Sequence, residues 1–360
     1  MAISVADVRA LFTKTLIDVY QERIKPTQFL GSFFPSTTSP TKTVSIEVER
    51  GFEKVAVDVV RGTEGNRNTF SRSTEKIFEP PLWREYFDAT QLDLYDRVLG
   101  SQGNANKPLF TALMQSVSDR LALLQDKIER AKEVQRAQVL DNGVVTIVQG
   151  TNINFARKAA SIVDLAAPPS GYGYTTGLWT TGATDVFKQL EAACNFMRTV
   201  GKSGDGTYNL ICGSGALGAL LTNTTFLTRQ NLFSMALDQV TGPQRGALGM
   251  TFHGTLTAGS YKVQLWAYPQ FYDNASGVST PYIAENKAIL IPTKPRFVTA
   301  HAAVPQLIGE PGQTPTQGEY VVGDFIDPRK AVHEFDIQSA AIAIPIAVDQ
   351  IVTLTVKAAA

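Results

Sequence analysis

The sequence predicts an α+β protein of about two or three domains, and three features predict it. A long helical pattern covers 106–140, strand patterns cover 43–60 and the chain beyond 283, and a unit of mixed helices and strands lies between them at 183–282. With 360 residues, 44% of them hydrophobic, the chain can bury a sizeable core.

At the N-terminus, Val5, Val8, Phe12, Leu16 and Val19 share one helical face, and Ser4 with Asp7 forms a capping box, so 4–22 reads as an amphipathic helix. FLGSFFP (29–35) is too short to be a core alone and must pack on later chain or on a neighbour. Val44, Ile46 and Val48, then Val55, Val57 and Val59, alternate with polar residues, predicting a hairpin with Gly51 at its turn. RGTEGNRNTFSRSTEK (61–76) follows, with Phe70 its one large apolar side chain; loops this long and polar are normally disordered or functional. We expect a partner surface to hold it. A strand returns through KIFEPPLWREYFDA.

The rod helix runs from Asn106, its expected N-cap, with Pro108 in the first turn, to Leu140 before the stop Asp141-Asn142-Gly143. Leu113, Val117, Leu121, Leu124, Ile128 and Ala131 form one narrow stripe, and Asp119, Arg120, Lys127, Arg130 and Lys132 lie off it, predicting a rod laid across a sheet. The Gly- and Tyr-rich stretch 167–182 reads as a domain boundary. Beyond it, 184–200 reads as a helix capped by Thr184, YNLIC as a buried strand, ALGALLTN as a short helix and 250–269 as two strands. The last strands, with few charges, belong in a sheet centre.

Composition excludes several function classes. Lys plus Arg is 33 and Asp plus Glu is 33, so no one-sign field exists to hold nucleic acid non-specifically. Charged residues are only 18%, against about 25% in typical domains, which suggests surface covered by other subunits. Two cysteines, Cys194 and Cys212, build neither a disulfide framework nor a zinc site, and read as small core residues of a reduced, intracellular chain. MAISVADVRALFTKTL is not expected to be a secretory leader, and no membrane segment is expected.

Chemistry-bearing motifs are sparse. Gly213-Ser-Gly215-Ala-Leu-Gly218 follows a strand, opens a helix and precedes Asp238 by about 20 residues, the spacing of a dinucleotide fingerprint. The stretch before Asp238 does not read as the required second strand, so a tight strand-to-helix turn is the preferred reading and a nucleotide-binding oxidoreductase the alternative. Gly201-Lys202-Ser203 has Phe196 where a phosphate loop needs glycine. His253, His301 and His333 lie in separate segments without zinc-ligand spacing. The run Glu79, Glu85, Asp88, Asp93 and Asp96 reads as a solvated or inter-subunit edge. No nucleophile, base and oxyanion donors assemble, so we expect no enzyme, cofactor or metal.

The order of parts, with SRSTEKIFEPPLWRE (71–85) and GDFIDPRKAVHEFDIQSAAIAIPIAVDQIVTLTV (323–356), resembles the major capsid proteins of tailed bacteriophages with the HK97 fold, in particular the lambda-type coat protein E family. The resemblance implies an N-terminal arm (1–41), an E-loop hairpin (42–95), a P domain (96–182 and 283–360) with its spine helix at 106–140, and an A domain (183–282). It implies hexamers and pentamers forming an icosahedral virion shell around double-stranded DNA, assembled in the host bacterial cytoplasm. Scaffold, portal and decoration proteins are the implied partners, with decoration taking the place of covalent crosslinks through Lys76. On this reading the loop lies over a neighbour, and Arg61, Arg67 and Arg72 meet carboxylates there. Glu64, Phe70, Glu75, Lys76 and Arg84 share that contact, while Phe33, Phe34 and Trp83 are either apolar anchors or intrasubunit core. An encapsulin-like compartment of the same fold is the alternative.

Overall fold

The computed structural model describes residues 25–48, 74–90, 109–148, 150–233, 244–246, 248–305, 316–327 and 332–358. The expected helix at 4–22, strand 55–59 and its Gly51 turn, most of the 61–76 loop, and Asn106 lie outside them.

Chain order begins with a 3-10 turn at Leu30–Phe33 and strands β1 (Ser36–Thr38), β2 (Val44–Val48), β3 (Thr74–Phe78) and β4 (Leu82–Thr90). Helix α1 (Leu109–Asp141) follows, then short strands β5 (Val144–Val145), β6 (Ile153–Asn154) and β7 (Ile162–Asp164). The central unit contributes α2 (Val186–Thr199), β8 (Thr207–Cys212), α3 (Ser214–Thr222), α4 (Thr224–Phe233), β9 (Gln244–Arg245), β10 (Thr251–Ala258) and β11 (Tyr261–Ala267). Then come β12 (Phe271–Asp273), β13 (Ser279–Pro281), β14 (Lys287–Pro292), β15 (Phe297–His301), β16 (Val321–Asp327), β17 (Val332–Pro345) and β18 (Val352–Thr355).

Two sheets organise these elements. In the first, the 14-residue β17 is the hub: its first half lies between antiparallel β4 and β16, and its second half pairs with β15, which takes β1 in parallel. The second sheet has the order β7-β18-β14-β8-β11-β10-β9. Its central strands are buried on both faces and therefore read as unbroken apolar runs. Tyr208, Leu210, Cys212, Ala288 and Leu290 face one core with α2 and α3, whereas Ile211, Ile289 and Ile291 face the other with α1 and β17.

The sheet runs across residue 283, because β14 and β18 hydrogen-bond into the sheet of β8 and β11. The stretch 167–182 packs into one of these cores. Trp179 is fully buried, its indole N–H donates to Gln189 Oε1 at 2.9 Å, and its backbone N–H reaches Val356 O. The cap of α2 is Asp185 rather than Thr184: the Asp185 carboxylate accepts from the N–H groups of Phe187 and Lys188.

The rod helix appears as expected and ends where expected. Gly143, at φ +72°, supplies the left-handed residue that lets its N–H turn back to Gln138 O and Val139 O. Among the described side chains, which begin at Val117, the narrow stripe holds only before Lys132. From Lys132 to Leu140 the helix is buried or half-buried all round, with Lys132, Glu133, Gln135 and Arg136 each less than a tenth exposed. Gln135 plugs into β17, accepting from Ala343 N–H at 2.9 Å.

Candidate assembly surface

Strands β2 and β3 form a two-stranded ribbon in which Val44 faces Phe78 and Val48 faces Thr74. The expected partner of 44–48, residues 55–59, lies outside the described chain, and the described partner is 74–78. Thr74, Glu75 and Lys76, expected in the loop, are therefore strand residues. The ribbon is rooted where Val44 is buried and Phe78 packs against Phe155 at 5.3 Å between ring centroids. Residues 49–73 leave and rejoin it at the opposite, Val48–Thr74 end.

Pro80 and Pro81 then turn the chain into β4, whose two faces differ. Trp83, Glu85 and Phe87 face inward. Lys127 of α1 reaches Glu85 at 2.7 Å, Arg120 lies over the Phe87 ring at 5.4 Å, and Phe87 stacks on Phe335. Leu82, Arg84 and Tyr86 face outward. Arg84 is bound within its own subunit, to Asp336 at 2.8 Å and Glu334 at 3.2 Å, while Leu82 and Tyr86 are about half exposed. Ile77 on the ribbon and Val322 on β16 are exposed as well.

The expected contact residues therefore fall into three groups. Arg61, Glu64, Arg67, Phe70 and Arg72, and the side chain of Glu75, lie outside the described residues. Lys76 is exposed, Trp83 half-buried and Arg84 exposed but paired. Phe34 is 1% exposed and stacks on Phe297 at 4.8 Å, and Phe33 meets Phe29 edge-on at 5.3 Å. Phe34 is thus core of its own subunit, with no face left for a neighbour. Sequence reading missed Ile77, Leu82, Tyr86 and Val322, although LWREYF places apolar side chains on both alternating faces of one strand, which a half-solvated strand does not need.

A polar cleft of about 440 Å³ lies between residues 28–36, α1 and β15. Glu133 of α1 is fully buried and accepts from Leu30 N–H at 2.7 Å, Gly31 N–H at 3.1 Å, Arg136 Nη1 at 3.1 Å and the Tyr268 hydroxyl at 3.1 Å. Burial pushes its carboxyl upward against those four donors. Glu129 accepts from Gln28 and from Lys132, which sits 4.0 Å from the Tyr320 ring centroid. Burial, then nearby Lys132 and Arg136, hold His301 down to about 4, with Glu319 opposing.

The chemistry-bearing motifs resolve into packing. At the GSGALG turn, a Cβ on Gly213 would stand 2.3 Å from Ala284 O, and Ala216 N–H already donates to Glu285 O at 2.6 Å. That end of α3 is covered by the chain itself, and β8 has one parallel neighbour, β11, and one antiparallel, β14. A dinucleotide site needs an open helix end at a parallel switch point. Asp238 lies outside the described residues. Both cysteines are buried, the Cys194 thiol pushed up to about 12 and the Cys212 thiol higher still by burial. Among the described residues no group of three or more His, Cys, Asp or Glu is placed to hold a metal, and no helix is long and apolar enough to cross a membrane.

A hub strand crossed by a rod helix, a two-stranded ribbon and a second sheet with flanking helices make up an α+β architecture of the kind found in capsid proteins. Solved structures with that architecture align over nearly the whole chain. A prophage protein of E. coli CFT073 assigned as its capsid protein aligns at TM-score 0.60 and 14% identity, covering 99% of this chain and 100% of its own. The capsid of a native GTA particle aligns at 0.51 and 11%, covering 99% and 100%, and the mature capsid of bacteriophage PhiM1 at 0.51 and 8%, covering 95% and 91%. The model of the family described as phage major capsid protein E matches residues 12–356, and the chain belongs to that family. Among curated proteins none matches.

Proposed function

We propose that this chain is the major head protein of a tailed bacteriophage, assembling as hexamers and pentamers into an icosahedral shell around double-stranded DNA in the host bacterial cytoplasm. Family membership over residues 12–356 carries the reading. The ribbon β2–β3 with its connection would be the E-loop, α1 the spine helix, the β17 sheet the P domain and the unit from α2 to β11 the A domain. Zero net charge suits a wall that must not adhere to the genome it encloses. Scaffold, portal and decoration proteins would be its other partners, and the exposed Ile77, Leu82 and Tyr86 a surface for its own copies.

Light scattering behind size exclusion, with negative-stain microscopy, tests the reading on protein co-expressed with its neighbouring genes. Closed shells of uniform diameter holding nuclease-protected DNA are expected. Shells filled with enzyme cargo would favour the encapsulin-like alternative, and a monomer or dimer under all conditions would refute both.

A further inference from the structure

We propose that the joint holding residues 27–38 against α1 and β15 is acid-labile, and that protonation of His301 opens it. The arm is bound there by carboxylates and by pairing. Gln28 Nε2 donates to Glu129 at 2.7 Å, the N–H groups of Leu30 and Gly31 donate to Glu133, and β1 pairs with β15 in a register that sets Thr38 beside His301.

His301 sits at the centre of this joint, 1% exposed. Its Nδ1 has no hydrogen-bond partner among the described residues, and its Nε2 stands 3.8 Å from Glu319 Oε1, beyond hydrogen-bond reach. The groups around it come from three elements. The rod helix brings Lys132 and Arg136, both more than nine-tenths buried. The segment before β16 brings Tyr320 and Glu319, the latter about half exposed and bonded to Ser36. The arm brings Gln28, Ser32 and Ser36, none charged.

The carboxylates nearest the two cations are already engaged, Glu129 with Lys132 at 3.2 Å and Glu133 with Arg136 at 3.1 Å. A charged His301 would be a third buried cation with only the solvated Glu319 to answer it. The charge is relieved by separating α1 from the sheet, which pulls Glu129 and Glu133 away from the arm.

The sign follows from linkage. A histidine held at about 4, against 6.5 when exposed, favours the closed joint fully above pH 6.5 and loses that preference as pH falls toward 4. Closed-to-open preference should drop about a hundredfold between pH 7 and pH 4. Glu133, whose carboxyl burial pushes up, has the opposite sign: its protonation favours the closed state. Glu319, held down chiefly by its bond to Ser36, shares the sign of His301, so acid loosening excludes Glu133 and the His301→Gln variant separates the other two.

Hydrogen exchange by mass spectrometry on the full chain, read in peptides spanning 29–34 and corrected for intrinsic rates, tests the joint whether or not shells form. Wild-type protection should fall about a hundredfold from pH 7 to pH 4, and His301→Gln should keep most of it. Unchanged protection in the wild type, or an equal loss in both proteins, overturns the proposal. A wild-type imidazole titration by NMR serves if the variant does not fold: a His301 midpoint at or above 6.5 overturns the proposal, and one well below it supports it.

Discussion

Arg157 donates to six oxygens from three parts of the chain. Its guanidinium reaches Leu140 O, Asp141 O and Thr353 Oγ1 from one nitrogen, Ser161 O and Ile351 O from another, and Ser161 Oγ from Nε. It satisfies the last carbonyls of α1 and ties them to the strand before which they stop. We predict that Arg157→Met lowers stability by about 2–4 kcal/mol, because several carbonyls lose their donor at once; the urea midpoint measures it. Burial pushes this guanidinium down to about 10, still charged at any physiological pH, so the effect should not vary between pH 6 and 8. At this scale the sequence was least legible. Lys132 and Arg136 sit in a helix whose apolar period runs elsewhere, and periodicity treats charges as outward; their partners beyond the helix, Tyr320 and Thr299, come from segments that no local pattern links.

Helix α1, the β10–β11 hairpin and the buried strand β8 were legible as elements, because each writes its period over enough residues to be read locally. Strand partners were not. The pairing of 44–48 with 74–78 was not foreseen, since it is fixed by the core under Val44 and Phe78 and not by a local period, while the expected partner 55–59 lies outside the described residues. Turn glycines were legible in type but not in purpose. Gly213→Val should cost folding outright, with a Cβ driven against the Ala284 carbonyl; soluble, folded Gly213→Val protein by circular dichroism would contradict this packing account. The outward face of β4 gives the opposite expectation. Leu82→Ser with Tyr86→Ser should shift the monomer's unfolding free energy by no more than about 1 kcal/mol, while sharply reducing shell yield by negative-stain counting.

For the molecule as a whole, the residues that stabilise the subunit are not those proposed to join copies. Two cores share one sheet and include Phe29, Leu30 and Phe34 of the arm, while Phe33 and Trp83 remain half-buried. On the proposed function, contacts between copies would come from polar loop residues and the exposed apolar side chains near the ribbon. Exposed ion pairs contribute only about 0–1 kcal/mol each, so their effect accumulates through repetition. Reversing charge at Arg67 and Arg72 together should abolish shells while leaving a folded subunit; scattering mass and circular dichroism read the two outcomes separately, and normal shells would dismiss those arginines as contacts. The capsid class was legible from element order and two motifs, whereas the neighbour's surface, being absent from any single chain's local pattern, was not.

Strand β18 lies inside its sheet, between β7 and β14. Synthesis must run from Asp164 to Val352 before β7 acquires its neighbour, a delay of about 10–40 s at ordinary translation rates. During that time both cores stay open, since Val352 and Leu354 close one and Ile351 the other. A nascent chain that has not reached Ile351 therefore has neither core complete, and no finished fold to offer a second copy.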